Sequence, residues 1–206
     1  MNLSPRVLAT VLLAIASPWA AAASTVDLTV KGLIVPSACT PTLSNAGTID
    51  HGKISFKDLN PTTPTNLKAQ TIDLAVACDA QTLMALQTTD NRADSGIHGG
   101  YGIGLVNGNQ KLGYFNLTIA KAVADTVAAD FVYSLDGDRW FWQDINDAWV
   151  ANYMIAPSLT TFAAPIPVQN LSAMLTVYTI INRSDALPGG TEIPIDGSAT
   201  LTVRYL

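Results

Sequence analysis

The sequence predicts an all-β sandwich. Three observations carry that expectation. Apolar residues recur at every second position in several separate stretches, as in strands buried on one face. Turn residues, including an Asn-Gly and an Asp-Gly pair, punctuate these stretches at short intervals. No stretch keeps a long helical period, and no composition break marks a linker, so one domain is expected. With 206 residues, 49% hydrophobic and only 13% charged, the chain is long and apolar enough to bury a core.

Taken in order, Val26, Leu28, Val30, Gly32 and Ile34 alternate with polar residues up to Pro36. Thr40 to Asn66 is rich in Thr, Asn, Ser, Pro and Gly, with short apolar pieces at Ile49 and 54–56. Ile72, Leu74, Val76 and Cys78 mark a strand, and Thr82 to Thr88 marks a second, separate one. Asp90 to Gly104 is polar and glycine-rich and predicts a loop. Asn107-Gly108 predicts a hairpin turn, with Leu112 to Ile119 as the strand that follows. Ala120 to Ala129 is alanine-rich and suits a short helix. Asp136-Gly137 predicts a second hairpin, between 131–135 and 140–142. Leu171 to Ile181 is a β-branched run fit for a buried strand, and Ala199, Leu201, Val203 and Tyr205 alternate to the end.

The N-terminus reads as a separate, removable segment. Arg6 is the first charge, an apolar run covers Val7 to Ala16, and Ala20 to Ala23 closes it with small residues. That order is a secretory signal peptide spanning residues 1–23, too short to anchor in a bilayer. Export gives the two cysteines, Cys39 and Cys78, their plainest reading as one disulfide. A catalytic thiol is the alternative, and it would need His51 or His98 beside it.

The net charge of −5 offers nothing to a nucleic-acid backbone, so no nucleic-acid partner is expected. Two His and two Cys fit no usual zinc spacing, and neither a metal nor a cofactor is expected. Gly100, Gly102 and Gly104 form G-x-G-x-G, but it leads into a strand where a phosphate loop leads into a helix. Asp136-Gly-Asp138 lacks the order of a calcium loop, and Asp144 with Asp147 identifies no acid–base couple. No strained nucleophile motif is present, so the chain is not expected to be an enzyme. Trp140, Trp142 and Trp149 are an unusual aromatic cluster. They are the candidate glycan contacts, since exposed rings stack on sugars; the plainer reading packs the shared face of Trp140 and Trp142 into the core.

The two ends say the most about function. Ser24 to Cys39, STVDLTVKGLIVPSAC, resembles the N-terminal extension of chaperone–usher pilus subunits, with Gly32 seven positions before the first cysteine. The C-terminal GSATLTVRYL resembles that family's last strand, with Tyr205 as the penultimate tyrosine, and Cys78 matches the second disulfide cysteine. The chain also resembles a family of exported fimbrial-like proteins of Gram-negative bacteria of unknown function. VPSACTPTLSN (35–45), TDNRA (89–93) and IPIDGSATLTVRYL (193–206) carry that likeness, and the stretch 111–167 carries less of it.

The resemblance implies an incomplete immunoglobulin-like pilin β-sandwich, completed by a donated strand. It divides the chain into a signal peptide (1–23), a donor-strand extension (24–37) and a sandwich domain (38–206). Val26, Leu28, Val30, Gly32 and Ile34 become the donated face. Ala199, Leu201, Val203 and Tyr205 flank the groove, and the Leu206 carboxylate becomes a chaperone anchor. The implied partners are a periplasmic pilus chaperone, an outer-membrane usher and neighbouring fimbrial subunits, in a homopolymer or heteropolymer on the cell surface. The alternative is a secreted glycan-binding β-sandwich or a minor adhesin subunit.

Overall fold

The structure is a computed structural model that describes residues 28–31, 38–159 and 162–206. The expected signal peptide, and Val26, Gly32 and Ile34 of the expected donor face, lie outside the described residues. The chain divides into two compact units, Met1–Val35 and Pro36–Leu206. All the strands named below lie in the second.

Among the described residues the strands are β1 (Cys39–Leu43), β2 (Thr65–Asn66), β3 (Gln70–Asp90), β4 (Tyr101–Gly102), β5 (Leu105–Val106) and β6 (Gln110–Lys111). They continue with β7 (Gly113–Ala124), β8 (Val127–Ser134), β9 (Phe141–Trp142), β10 (Met154–Ser158), β11 (Pro167–Ile181) and β12 (Ala199–Tyr205). Among the described residues, helical geometry is confined to turns of three or four residues. The fold is all-β.

Two sheets share the long strands. In one, β1, the first half of β3, β11 and β7 lie side by side, with β2 and β4 at the far end. In the other, β12, the second half of β3, β10, the second half of β8 and β9 follow one another. Side chains from both meet in one core: Ile72, Leu74, Val76, Met84 and Leu86 of β3, Leu117 and Ile119 of β7, Phe131, Ile155, Leu171 and Leu175. This is a β-sandwich.

The expected separate strands at 72–78 and 82–88 are one strand of 21 residues. Asp79, Ala80 and Gln81 are exposed, but the backbone stays extended through them. β3 carries the irregularity: it has four residues between Ala77 and Thr82 where β11 has only Gln169 between Asn170 and Val168. β3 therefore passes from one sheet into the other.

The expected helix at 120–129 is instead the hairpin of β7 and β8, pairing Ala122 with Ala129 and Ala124 with Val127. Alanine's helix preference is worth only tenths of a kcal/mol per residue, roughly, and pairing overrides it. Ala122 and Ala124 face the core while Val123 is exposed, so the period is two. The turn itself is anchored from outside. Asp125 adopts a φ of 55°, and its carboxylate accepts the backbone N–H groups of Gln169 and Asn170 and the side-chain amide of Gln81.

Both expected turns are present. Asn107 and Gly108 take positive φ between β5 and β6. Asp136 closes the β8–β9 hairpin, accepting backbone N–H groups from Arg139 and Asp138, and these bonds hold its carboxyl down to about 2. Within the G-x-G-x-G stretch, β4 inserts a short strand into the expected loop. Gly102 is required there by close approach: a Cβ would meet the Arg92 carbonyl and the Ser95 hydroxyl.

Cys39 and Cys78 are joined, facing each other across the β1–β3 ladder. Removing a native disulfide from a small exported domain costs about 2–5 kcal/mol. Thiol labelling of denatured, unreduced protein is expected to find no free thiol. Two labelled cysteines per chain would contradict the pairing.

Candidate functional site

The edge formed by β1 and β12 is the candidate site. Hydrogen-bond parity shows how it is built. Asp79 donates to the Ala38 carbonyl, Asn91 to the Ser198 carbonyl, and Leu206 to the Leu83 carbonyl. Odd-numbered residues of β3 thus serve both β1 and β12, which lie one after the other on the same edge of β3. β11 and β10 occupy the other edge.

By the same alternation, Ala199, Leu201, Val203 and Tyr205 aim their backbone groups away from β3. Among the described residues β12 pairs only with β3, so this outer edge carries no ladder. β1 likewise pairs only with β3. Its outer edge is interrupted by Pro41, which has no N–H to offer. Of the two edges, only that of β12 offers an unbroken row of donors and acceptors.

Side-chain burial follows the same line. Core-facing residues of β3, β7 and β11 are almost all sealed, Leu74 fully so. Cys39 and Leu43 of β1, and Leu201 and Val203 of β12, pack against that core but stay only half-covered. Tyr205 remains 47% exposed and Leu206 43% exposed. Among the described residues, the cover of the core along β3 is incomplete on the side where β1 and β12 meet. There the Tyr205 hydroxyl accepts the backbone N–H of Cys39 at 3.0 Å.

A clasp holds β12 in place. Arg92 grips Asp196 through two of its guanidinium nitrogens, Nε at 2.9 Å and Nη2 at 3.0 Å. The hydrogen bond from Arg92 lowers the Asp196 carboxyl below its ordinary value. Asn91 donates to the hydroxyls of Ser198 and Thr200. Asp90 in turn accepts the backbone N–H groups of Arg92 and Gly102. The sequence stretches TDNRA and IPIDGSATLTVRYL therefore meet, about a hundred positions apart, as the two halves of one fastening. Neither stretch alone signals this.

Of the expected donor face, Leu28 and Val30 are described; both belong to no strand and are 89% and 87% exposed. The tryptophans separate. Trp149 is 1% exposed, its indole N–H donates to the Tyr153 carbonyl, and its ring has no free face for a sugar. Burial thus removes it from the expected glycan contacts. Trp140 is half-buried against Ala85, Val132 and Ala156 on the outer face of the second sheet, and its indole N–H donates to the Gly137 carbonyl. Trp142, on the marginal strand β9, is 44% exposed.

Residues 28–111 match a family described as a protein of unknown function, DUF1120. Protein GltF of Escherichia coli K12 is 26% identical, covering 87% of this chain and 88% of GltF. The uncharacterized protein YhcF of the same organism is 28% identical, covering 91% of this chain and 93% of YhcF. Among solved structures, the CupB6 tip adhesin from Pseudomonas aeruginosa is 13% identical with a TM-score of 0.30. That comparison spans 83% of this chain and less than half, 45%, of the adhesin chain.

Proposed function

We propose that this chain is a non-enzymatic structural subunit of a chaperone–usher fimbria, exported through the periplasm and polymerised on the cell surface by strand donation. The single observation that carries the reading is the half-covered edge of β1 and β12: apolar side chains facing the core without full cover, beside an unladdered backbone row. A strand laid along β12 would use the backbone groups of Ala199, Leu201, Val203 and Tyr205 and cover Leu201 and Val203. The segment 24–37 has the alternation such a strand needs, with Val26, Leu28, Val30, Gly32 and Ile34 on one face. On this reading a periplasmic chaperone first covers the edge, with Leu206 at the strand end as its anchor. An outer-membrane usher then exchanges it for the extension of the next subunit.

Periplasmic expression with and without a pilus chaperone tests this. Exposed apolar area costs about 25 cal/mol per Å², so the solitary chain is expected to be degraded or to form strand-swapped oligomers. With a chaperone it is expected as a one-to-one complex that converts to a ladder of polymers. A solitary, soluble, long-lived monomer at high concentration would contradict the open-edge reading.

A further inference from the structure

A recess of about 380 Å³ opens on the outer face of the first sheet, away from the β1–β12 edge. Its floor is set by register. Tyr178 of β11 stands opposite Asn116 of β7, and Ile180 stands opposite Asn66 of β2. Thr118, two residues along β7 from Asn116, extends the floor, and Asn146 with Ala148 closes one side. Asn66 and Asn116 are two strands apart, which places them about 10 Å from each other across the sheet.

The chemistry of the lining is specific. It holds no charged side chain. Among the described residues, the amides of Asn66 and Asn116 and the hydroxyls of Tyr178 and Thr118 make no side-chain hydrogen bond, although Thr118 is only 8% exposed. The Tyr178 ring is 44% exposed. The wall is held in place: Asn146 donates its backbone and amide N–H groups to Asp144, Gln143 donates to the carbonyls of Asp144 and Asp147, and Trp149 donates its backbone N–H to Leu117. Among the described residues, the amide oxygen of Asn146 accepts no hydrogen bond.

We infer that this recess binds a neutral saccharide. Amides and hydroxyls both donate and accept, which matches sugar hydroxyls group for group. An exposed tyrosine ring supplies the apolar face on which the C–H side of a pyranose packs, while its hydroxyl remains available. Three asparagines around one aromatic ring, without a cation, leave nothing to neutralise a sialic acid or a sulfate, and the chain's net charge of −5 repels them. The recess does not depend on the open edge: a subunit in a polymer or a free protein presents it equally.

The test is binding of the full exported chain, with its chaperone if one is needed, to immobilised neutral oligosaccharides ending in glucose, galactose, mannose or N-acetylhexosamine, beside sialylated and sulfated sets. Retention on at least one neutral set is expected. Asn116→Ala and Tyr178→Ala are each expected to weaken it at least tenfold, and Trp142→Ala to leave it unchanged. Far-UV circular dichroism checks that each variant folds. Asn66→Ala, at an exposed position of a two-residue strand, replaces any variant that does not, with the same expectation. No retention on any neutral set, retention on charged sets alone, or loss with Trp142→Ala but not Asn116→Ala overturns the inference.

Discussion

Gly32→Trp is expected to abolish surface polymer while leaving chaperone-bound subunit at its normal level. If residues 24–37 are the strand given to a neighbour, Gly32 occupies the shallowest point of that neighbour's groove. An indole there overpacks a tight contact, which costs roughly 1–3 kcal/mol or more at every junction along the fibre. The subunit's own sandwich is untouched, because the substituted strand completes another molecule. Thr29→Ala, on the opposite face of the same strand, is the mild control. SDS-resistant ladders and chaperone co-purification, measured on both variants, decide the matter. Ladders intact in Gly32→Trp mean that Gly32 enters no groove. Loss of the chaperone complex as well means that the strand serves its own domain.

Trp149→Ala is expected to be the most destabilising single change in the sandwich, by about 3–5 kcal/mol, a large part of the roughly 5–15 kcal/mol that a domain commands. The ring is buried among core residues, and its removal leaves a cavity that the two sheets cannot close without shifting. The substitution also removes the indole N–H that donates to the Tyr153 carbonyl. The backbone carbonyl of residue 149 remains for the hydroxyl of Tyr101, whose phenol is pushed up to about 12 chiefly by burial. Trp142→Ala, at a half-exposed ring on a marginal strand, is the comparison and should stay within about 1 kcal/mol of the parent. Urea unfolding of the purified, strand-completed protein followed by far-UV circular dichroism reads both. Equal midpoints for the two variants would contradict the different burial of these rings.

The contrast between the tryptophans shows what was legible in the chain and what was not. Residues 140, 142 and 149 look alike in sequence, since each is an aromatic near polar residues. Which one is sealed depends on the segment after β9, where the backbone of Trp149 bonds to Leu117 on β7. A contact 32 positions away leaves no local signal. The same holds for the outer recess. Asn66, Asn116, Asn146 and Tyr178 come from four separate stretches, and only the pairing of β2, β11 and β7 sets three of them on one face.

Local chemistry determined a good deal without help. The period of two at 72–78 and 199–205 specifies strands, because one-sided burial needs it, and the β-branched run at 171–181 specifies another. Asn107-Gly108 and Asp136-Gly137 specify hairpins, because each supplies the left-handed backbone that a tight turn requires. The cysteines of an exported chain specify a bond. Where packing competed with propensity, the sequence was a poor guide. Alanines at 120–129 prefer a helix only weakly, and the neighbouring β11 claimed them for a hairpin. Two separate strands were expected at 72–78 and 82–88, yet β3 runs through Asp79 to Gln81 and carries the extra residues of its register shift against β11. The clasp of Arg92 on Asp196, and the half-covered edge it holds in place, belong wholly to tertiary structure. Alternation says that β12 has an inner face, but how much of that face is covered depends on which strands lie beside it.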